Sequence, residues 1–126
     1  AAIQTGDEAK ARAAYAKLQT IAKGELAAEA LYYDAYFKNK DGKFEASNTV
    51  VQKLAKNYSG YKYFGAKGLI LMAKNFYGLK DSFQATYILE SVIKNFTDFP
   101  DVVSEAQKEL DAIKNEEAKT NSSVTN

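Results

Sequence analysis

AKGLILMAKNFYGLKDSFQATYILESVIKNF, residues 66–96, holds two apolar stripes of helical period separated by one turn. In its first half Leu69, Met72, Ala73 and Phe76 fall at i, i+3, i+4 and i+7, the spacing of a single helix face. In its second half Ala85, Leu89 and Val92 recur at four and then three. Gly78-Leu79-Lys80-Asp81 between them is turn chemistry, with Asp81 placed to cap the second helix by accepting a backbone N–H. The stretch therefore predicts a helical hairpin with a small residue at the close approach and bulky ones on either side.

The same pattern returns elsewhere. Ala11-x3-Tyr15-x2-Leu18, Ser47-x3-Val51-x2-Leu54 and Ala85-x3-Leu89-x2-Val92 begin 36 and then 38 residues apart, each a few residues after Gly6, Gly42 or Gly78. A second echo interleaves with the first, because Gly24, Gly60 and Pro100 each precede an alanine by six, at Ala30, Ala66 and Ala106. Two interleaved echoes mean a repeated two-helix unit. The chain accordingly reads as about six helices, over residues 7–23, 25–39, 44–57, 61–77, 82–96 and 100–119. Turns fall at Gly24, Asn39-Lys40-Asp41-Gly42, Ser59-Gly60, Gly78-Asp81 and Pro100, residues that tolerate positive φ or suit the first turn of a helix. Residues 120–126 (Thr, Asn, Ser, Ser, Val, Thr, Asn) have nothing to bury and are expected to be disordered.

Composition narrows the chemistry. The chain has 126 residues, one domain's worth, with 46% apolar and 26% charged residues, too apolar for a disordered chain. It has no His, Cys or Trp. An imidazole base, a thiolate nucleophile, a disulfide and a Cys/His zinc site are therefore excluded. Seventeen basic against sixteen acidic residues leave a net charge of +1, far from the excess that drives nucleic-acid binding by counterion release. The longest aliphatic run, residues 69–73, is far short of the roughly 20 residues that cross a bilayer, so no direct membrane insertion is expected. The opening Ala1-Ala2-Ile3-Gln4 has no signal pattern, and a chain that opens on Ala reads as a processed or excised part of something longer.

These units resemble the tetratricopeptide repeat family, whose two-helix repeat is about 34 residues long. In residues 66–96, Leu69, Met72, Ala73 and Phe76 stand at the family's large, large, small and aromatic positions of the first helix, and Ala85, Leu89 and Val92 follow in the second. Residues 28–58 depart from the pattern: matching Leu31 and Ala35 puts Asp34 and Lys38 where large apolar residues are expected. The periods are longer than the family's, and the closing proline occurs only as Pro100. Long repeats rich in Tyr and Phe are similar to those of bacterial cell-envelope members, which would put the chain in the periplasm or envelope.

The resemblance implies an all-α, right-handed solenoid of antiparallel helical hairpins over residues 1–119. Residues 6–23 would be the orphan second helix of a preceding repeat, 25–58 and 61–97 two hairpins, and 101–119 a C-terminal capping helix with Val103, Ala106, Leu110 and Ile113 as its apolar stripe. An unrelated six-helix bundle is the competing architecture. Family logic places partner binding in the concave groove lined by the first helices. Register carry-over selects Glu29, Tyr32, Tyr36, Asn39, Lys67, Ile70, Lys74 and Tyr77. Tyrosine suits such a surface because its ring buries area while its hydroxyl stays hydrogen-bonded. Equally, these rings could pack on adjoining helices.

The implied function is a non-catalytic scaffold for a protein or peptide partner, with no cofactor or metal. A structural end-piece, packing on upstream repeats or self-associating through the first helix, is the alternative. An enzyme accessory domain or a nucleic-acid-binding repeat ranks below both. Other motifs dissolve on inspection. Asn39-Lys40-Asp41-Gly42 looks like part of a calcium loop, but the positions needing an acid and a bidentate Glu hold Phe37 and Asn48. The carboxylates Glu25, Glu29, Glu105, Glu109, Glu116 and Glu117 sit at helical spacing beside lysines, as solvated faces do. No glycine-rich segment has phosphate-loop spacing. Three Asn-x-Ser/Thr triplets, at Asn57, Asn95 and Asn121, are what chance gives in a chain rich in these residues.

Overall fold

The computed structural model describes residues 6–125, with side chains described to residue 120. The expectations for residues 1–5 and for Asn126 lie outside the described residues. Within them the chain is all-α, six helices without a strand: α1 (Gly6–Ile21), α2 (Gly24–Lys40), α3 (Phe44–Asn57), α4 (Lys62–Gly78), α5 (Ser82–Asn95) and α6 (Pro100–Thr125).

Local chemistry sets the boundaries. Asp81 caps α5 by accepting from the Gln84 backbone N–H at 3.1 Å. Helix α2 ends in a Schellman arrangement, with Lys43 N donating to Lys38 O at 2.8 Å and Gly42 N to Asn39 O at 3.0 Å. Gly42 occupies the left-handed position of that turn, with φ of 78°. The end of α4 repeats it: Asp81 N donates to Phe76 O at 2.8 Å and Lys80 N to Tyr77 O at 3.0 Å. Here the left-handed residue is Lys80, φ 70°, the one such non-glycine position among the described residues.

Each helix contacts its neighbours in sequence, and α4 also packs against α2 on one side and α6 on the other. Among the described residues α1, α3 and α5 touch only the helices next to them in the chain. The buried faces follow the repeated pattern: Ser47, Val51 and Leu54 in α3, and Ala85, Leu89 and Val92 in α5. They feed two adjoining cores. One joins Ala28, Leu31, Tyr32 and Ala35 to Val51, Leu54 and Leu71. The other joins Ala66, Ile70 and Ala73 to the α5 stripe and to Val102, Ala106, Leu110 and Ile113. Each fully buried large aliphatic side chain, such as Leu54 or Leu89, stabilises the fold by about 1.5–3 kcal/mol.

Two details differ from the sequence reading. The α6 stripe begins at Val102 instead of Val103, which is half-buried beside Pro100 and Thr97 at the surface. Both valines satisfy helical spacing, and only the position of the helix start decides between them. Residues 120–125 continue α6 instead of forming a disordered tail. No glycine or proline follows Pro100 to stop the helix, and the Thr120 hydroxyl donates back to Glu116 O at 3.1 Å.

Helix α1 has no buried residue. It is held to α2 by surface contacts: Tyr15 stacks on Tyr33 at 4.4 Å, and the Arg12 guanidinium lies 4.5 Å over Phe37 while forking onto both Asp41 oxygens at 3.0 Å. Glu8 completes the cluster with Arg12 and Lys40.

The two Schellman turns generate opposite expectations. A Cβ in the left-handed region costs about 1–2 kcal/mol. Lys80→Gly should therefore raise the denaturant midpoint, offset in part by glycine's greater unfolded-state freedom. Gly42→Ala should lower it. A Lys80→Gly variant less stable than the parent would contradict this turn geometry.

Candidate functional site

The surface that α2, α4 and α6 share is built from positions three and four apart on each helix. On α4, Ala66, Ile70 and Ala73 point into the core, which leaves Tyr63, Lys67 and Lys74 half-buried at its edge. On α2, burial of Ala28, Leu31 and Ala35 leaves Tyr33 and Tyr36 half-buried. On α6, the stripe from Val102 to Ile113 sets Asp101, Glu105 and Glu109 along one flank at intervals of four.

These three rows meet at Lys67. Its Nζ lies 5.4 Å from the centroid of the Tyr32 ring and 5.8 Å from that of Tyr63, a cation held over two aromatic faces. The Tyr63 hydroxyl donates to Asp101 Oδ2 at 2.7 Å. That bond is the main reason the Asp101 carboxyl lies below its ordinary pKa, with Lys67 adding its charge. It also raises the Tyr63 phenol. About two turns along α4, Lys74 Nζ pairs with Glu109 Oε1 at 3.3 Å. The surface thus runs from tyrosines on α2, through lysines on α4, to carboxylates on α6.

The eight residues selected from sequence take different places. Lys67 and Tyr36 lie on this surface; Tyr36 is flanked by the rings of Tyr32, Tyr33 and Phe37, with Lys40 Nζ 5.9 Å from its centroid. Lys74 is there too, engaged with Glu109. Tyr32 is only 7% exposed, and burial, with the Glu105 charge behind it, holds its phenol well above the ordinary value. Ile70, 1% exposed, is a core residue, so its selection for the groove is corrected: helix rotation turns it toward Val92 and Ala106 in the second core. Tyr77 packs half-buried against the same core. Glu29 is turned to α1, where its Oε2 accepts from the Tyr15 hydroxyl at 3.0 Å. Asn39 donates through Nδ2 to Asn75 Oδ1 at 2.8 Å.

Asn75 itself was not singled out, yet it is fully buried and joins three helices. Its Nδ2 donates to Ser47 Oγ at 2.8 Å and Asn48 Oδ1 at 2.9 Å, and Ser47 Oγ donates to Ala35 O at 2.7 Å. Tyr33, Tyr63, Asp101 and Glu105 were also missed. Their signal was available in spacing: Tyr63 lies one turn before Lys67, and the α6 acids repeat every fourth residue. Among the described residues no group of three His, Cys, Asp or Glu side chains is arranged to hold a metal ion, and no helix is long and apolar enough to cross a membrane. What the surface offers a ligand is ring faces, phenol hydroxyls and charges of both signs.

The Tyr15–Glu29 bond, which ties α1 to this surface, has a pH signature. Burial, then the hydrogen bond to Glu29, push the Tyr15 phenol up to about 12 from 10.0. The folded chain therefore keeps this proton where the unfolded chain loses it. Its stabilisation is complete below about pH 10 and disappears as pH rises toward 12. Unfolding midpoints should fall across that range, less steeply in Tyr15→Phe than in the parent; equal slopes would contradict the assignment.

No protein-family model matches the chain, no curated protein matches it, and no solved structure matches it.

Proposed function

We propose that the chain is a non-catalytic interaction scaffold, a right-handed solenoid of tetratricopeptide-like hairpins whose α2–α4–α6 surface receives an extended segment of a protein partner. The observation that carries this reading is the packing order: among the described residues α2, α4 and α6 adjoin in series, while α1, α3 and α5 meet only their sequence neighbours. Stacked hairpins have this order, with first helices side by side and second helices splayed behind them. In this reading α2–α3 and α4–α5 are the two hairpins, α1 is a second helix from a preceding unit, and α6 covers the end of the array. Its wide polar face, with Asp111, Lys114 and Glu116 exposed, suits an end that meets water.

Recognition would be by shape and side-chain complementarity. Half-buried tyrosines contribute area at small entropic cost, and Lys67 between Tyr32 and Tyr63 presents a held cation beside a row of carboxylates. A partner segment with an acidic group near an aromatic or aliphatic residue meets both.

A second reading is favoured by α1. It has no buried residue, and Ile21 is 64% exposed. An apolar side chain so placed suits an end-piece that packs on further helices.

The groove reading is tested by selecting extended peptides from a display library against the 126-residue chain. Titration calorimetry then follows the selected peptides on Tyr36→Ala, Lys67→Ala and, as a control on exposed α3, Lys53→Ala. About tenfold weaker binding is expected for the first two and no change for the third. Peptides that bind all three variants equally would contradict the assignment.

A further inference from the structure

The exposed face of α5 carries a projecting group at one end and a cavity at the other. Phe83 is 77% exposed and Tyr87, one turn on, 64%. The same face continues through Glu90, Ser91, Lys94 and Asn95, which with Tyr87 line a shallow depression. Asn95 also lines a larger cavity of about 370 Å³, whose apolar walls are Tyr58, Leu69, Phe96 and Phe99. The two hollows therefore share Asn95 as a common wall.

The cavity is suited to a ring. Gly65 lies in its lining, and a Cβ built there meets nothing within 4 Å. A glycine inside a helix is less stable than alanine, and here no neighbour requires it. What its missing side chain leaves is room in the cavity. Lys62 and Asp98 stand in the same lining, and no ion pair occupies either among the described residues.

The chain's own surface supplies a matching occupant. Phe83 and Asn95 are separated by about 18 Å at 1.5 Å per residue. If two copies of α5 lie antiparallel about a twofold axis near Ser91, a small residue that permits close approach, Phe83 of each reaches the other's cavity. Tyr87 then meets Asn95. Glu90 of each copy then lies two residues, about 3 Å along the axis, from Lys94 of the other, within reach of the lysine's length, and neither is in an ion pair within its own chain among the described residues. Charge and shape are complementary to within about one residue of the same axis. We propose that the chain forms a closed twofold dimer in which Phe83 of each copy enters the Tyr58–Phe96–Phe99 cavity of the other. A self-complementary patch of this kind closes on itself and stops at two. The α2–α4–α6 surface takes no part, so dimerisation stands or falls independently of the groove reading.

Sedimentation velocity on the 126-residue chain, with circular dichroism to verify folding, tests this. The parent should show a monomer–dimer equilibrium with no larger species. Phe83→Ser with Tyr87→Ser, and separately Gly65→Phe, which fills the cavity, should each weaken it by about tenfold or more. Mixing those two variants should restore a one-to-one dimer tighter than either forms alone, because one ring still finds one open cavity. Should Gly65→Phe not fold, Lys94→Glu on the exposed surface gives an equivalent reading: it weakens the dimer, and Glu90→Lys in the same chain restores it. Ile21→Lys on α1 should change nothing. A parent that stays monomeric at millimolar concentration, a mixture no tighter than its components, or a dimer abolished by Ile21→Lys alone would each overturn the proposal.

Discussion

A single buried amide fixes how the helices of the N-terminal core lie against one another. Asn75 is fully enclosed, and both its donor and its acceptor are used: Ser47 and Asn48 of α3 accept from Nδ2, and Asn39 of α2 donates to Oδ1. An unpartnered buried polar group costs about 1–3 kcal/mol, so sliding α4 by one residue would strand several such groups at once. Apolar contacts between Ala, Val and Leu are far more forgiving of a slip, since one methyl-lined groove resembles the next. The polar network therefore supplies the register that the hydrophobic cores alone leave loose. The part of the shared surface made by α2 and α4 inherits it, including the height of Lys67 against Tyr32.

That register explains why the surface is ordered by type. Rings gather on α2 because its buried stripe is made of small residues, Ala28 and Ala35 with Leu31, so the large side chains are left to the flanks. Lysines stand on α4, where an aromatic face lies beside Lys67 and a carboxylate beside Lys74. Carboxylates follow on α6. Net charge stays near zero while charges of both signs alternate from row to row. Helix α1 is different in kind. Its ties to α2 are ring stacking and exposed ion pairs, which water and salt weaken, so it is the least firmly attached element.

Helix count and most boundaries were legible in the sequence, because they rest on local chemistry: Asp81 as a cap, Gly42 in a left-handed turn, Pro100 at a helix start. The buried stripes of α3 and α5 were legible too, including Ser47 at a position otherwise held by alanine. Rotation about a helix axis was not. Val102 and Val103 fit the spacing equally well, and Ile70 could be placed on the groove because every residue from Leu69 to Ala73 is apolar and no polar flank marks the outer face. Asn75 was invisible for the opposite reason. A lone asparagine near a helix end looks solvated until three partners from other helices are brought to it. Tyr32 and Tyr36 were read as groove residues or as rings packed on adjoining helices, and the division of the α2 tyrosines among α1, the core and the open surface depends on tertiary neighbours. The proposal of a solenoid that binds a partner rests on the repeat pattern and the packing order together.

The most direct measurement of the central claim, that Asn75 couples α2 to α4, is a double-mutant cycle. Denaturant unfolding of the parent, Asn39→Ala, Asn75→Ala and the double variant isolates the interaction between these side chains from the cost of losing either alone. The account predicts a favourable coupling of about 0.5–3 kcal/mol, with the double variant less destabilised than the sum of the singles. Costs that add within about 0.3 kcal/mol would contradict it. The two helices would then be held in register by their apolar faces alone.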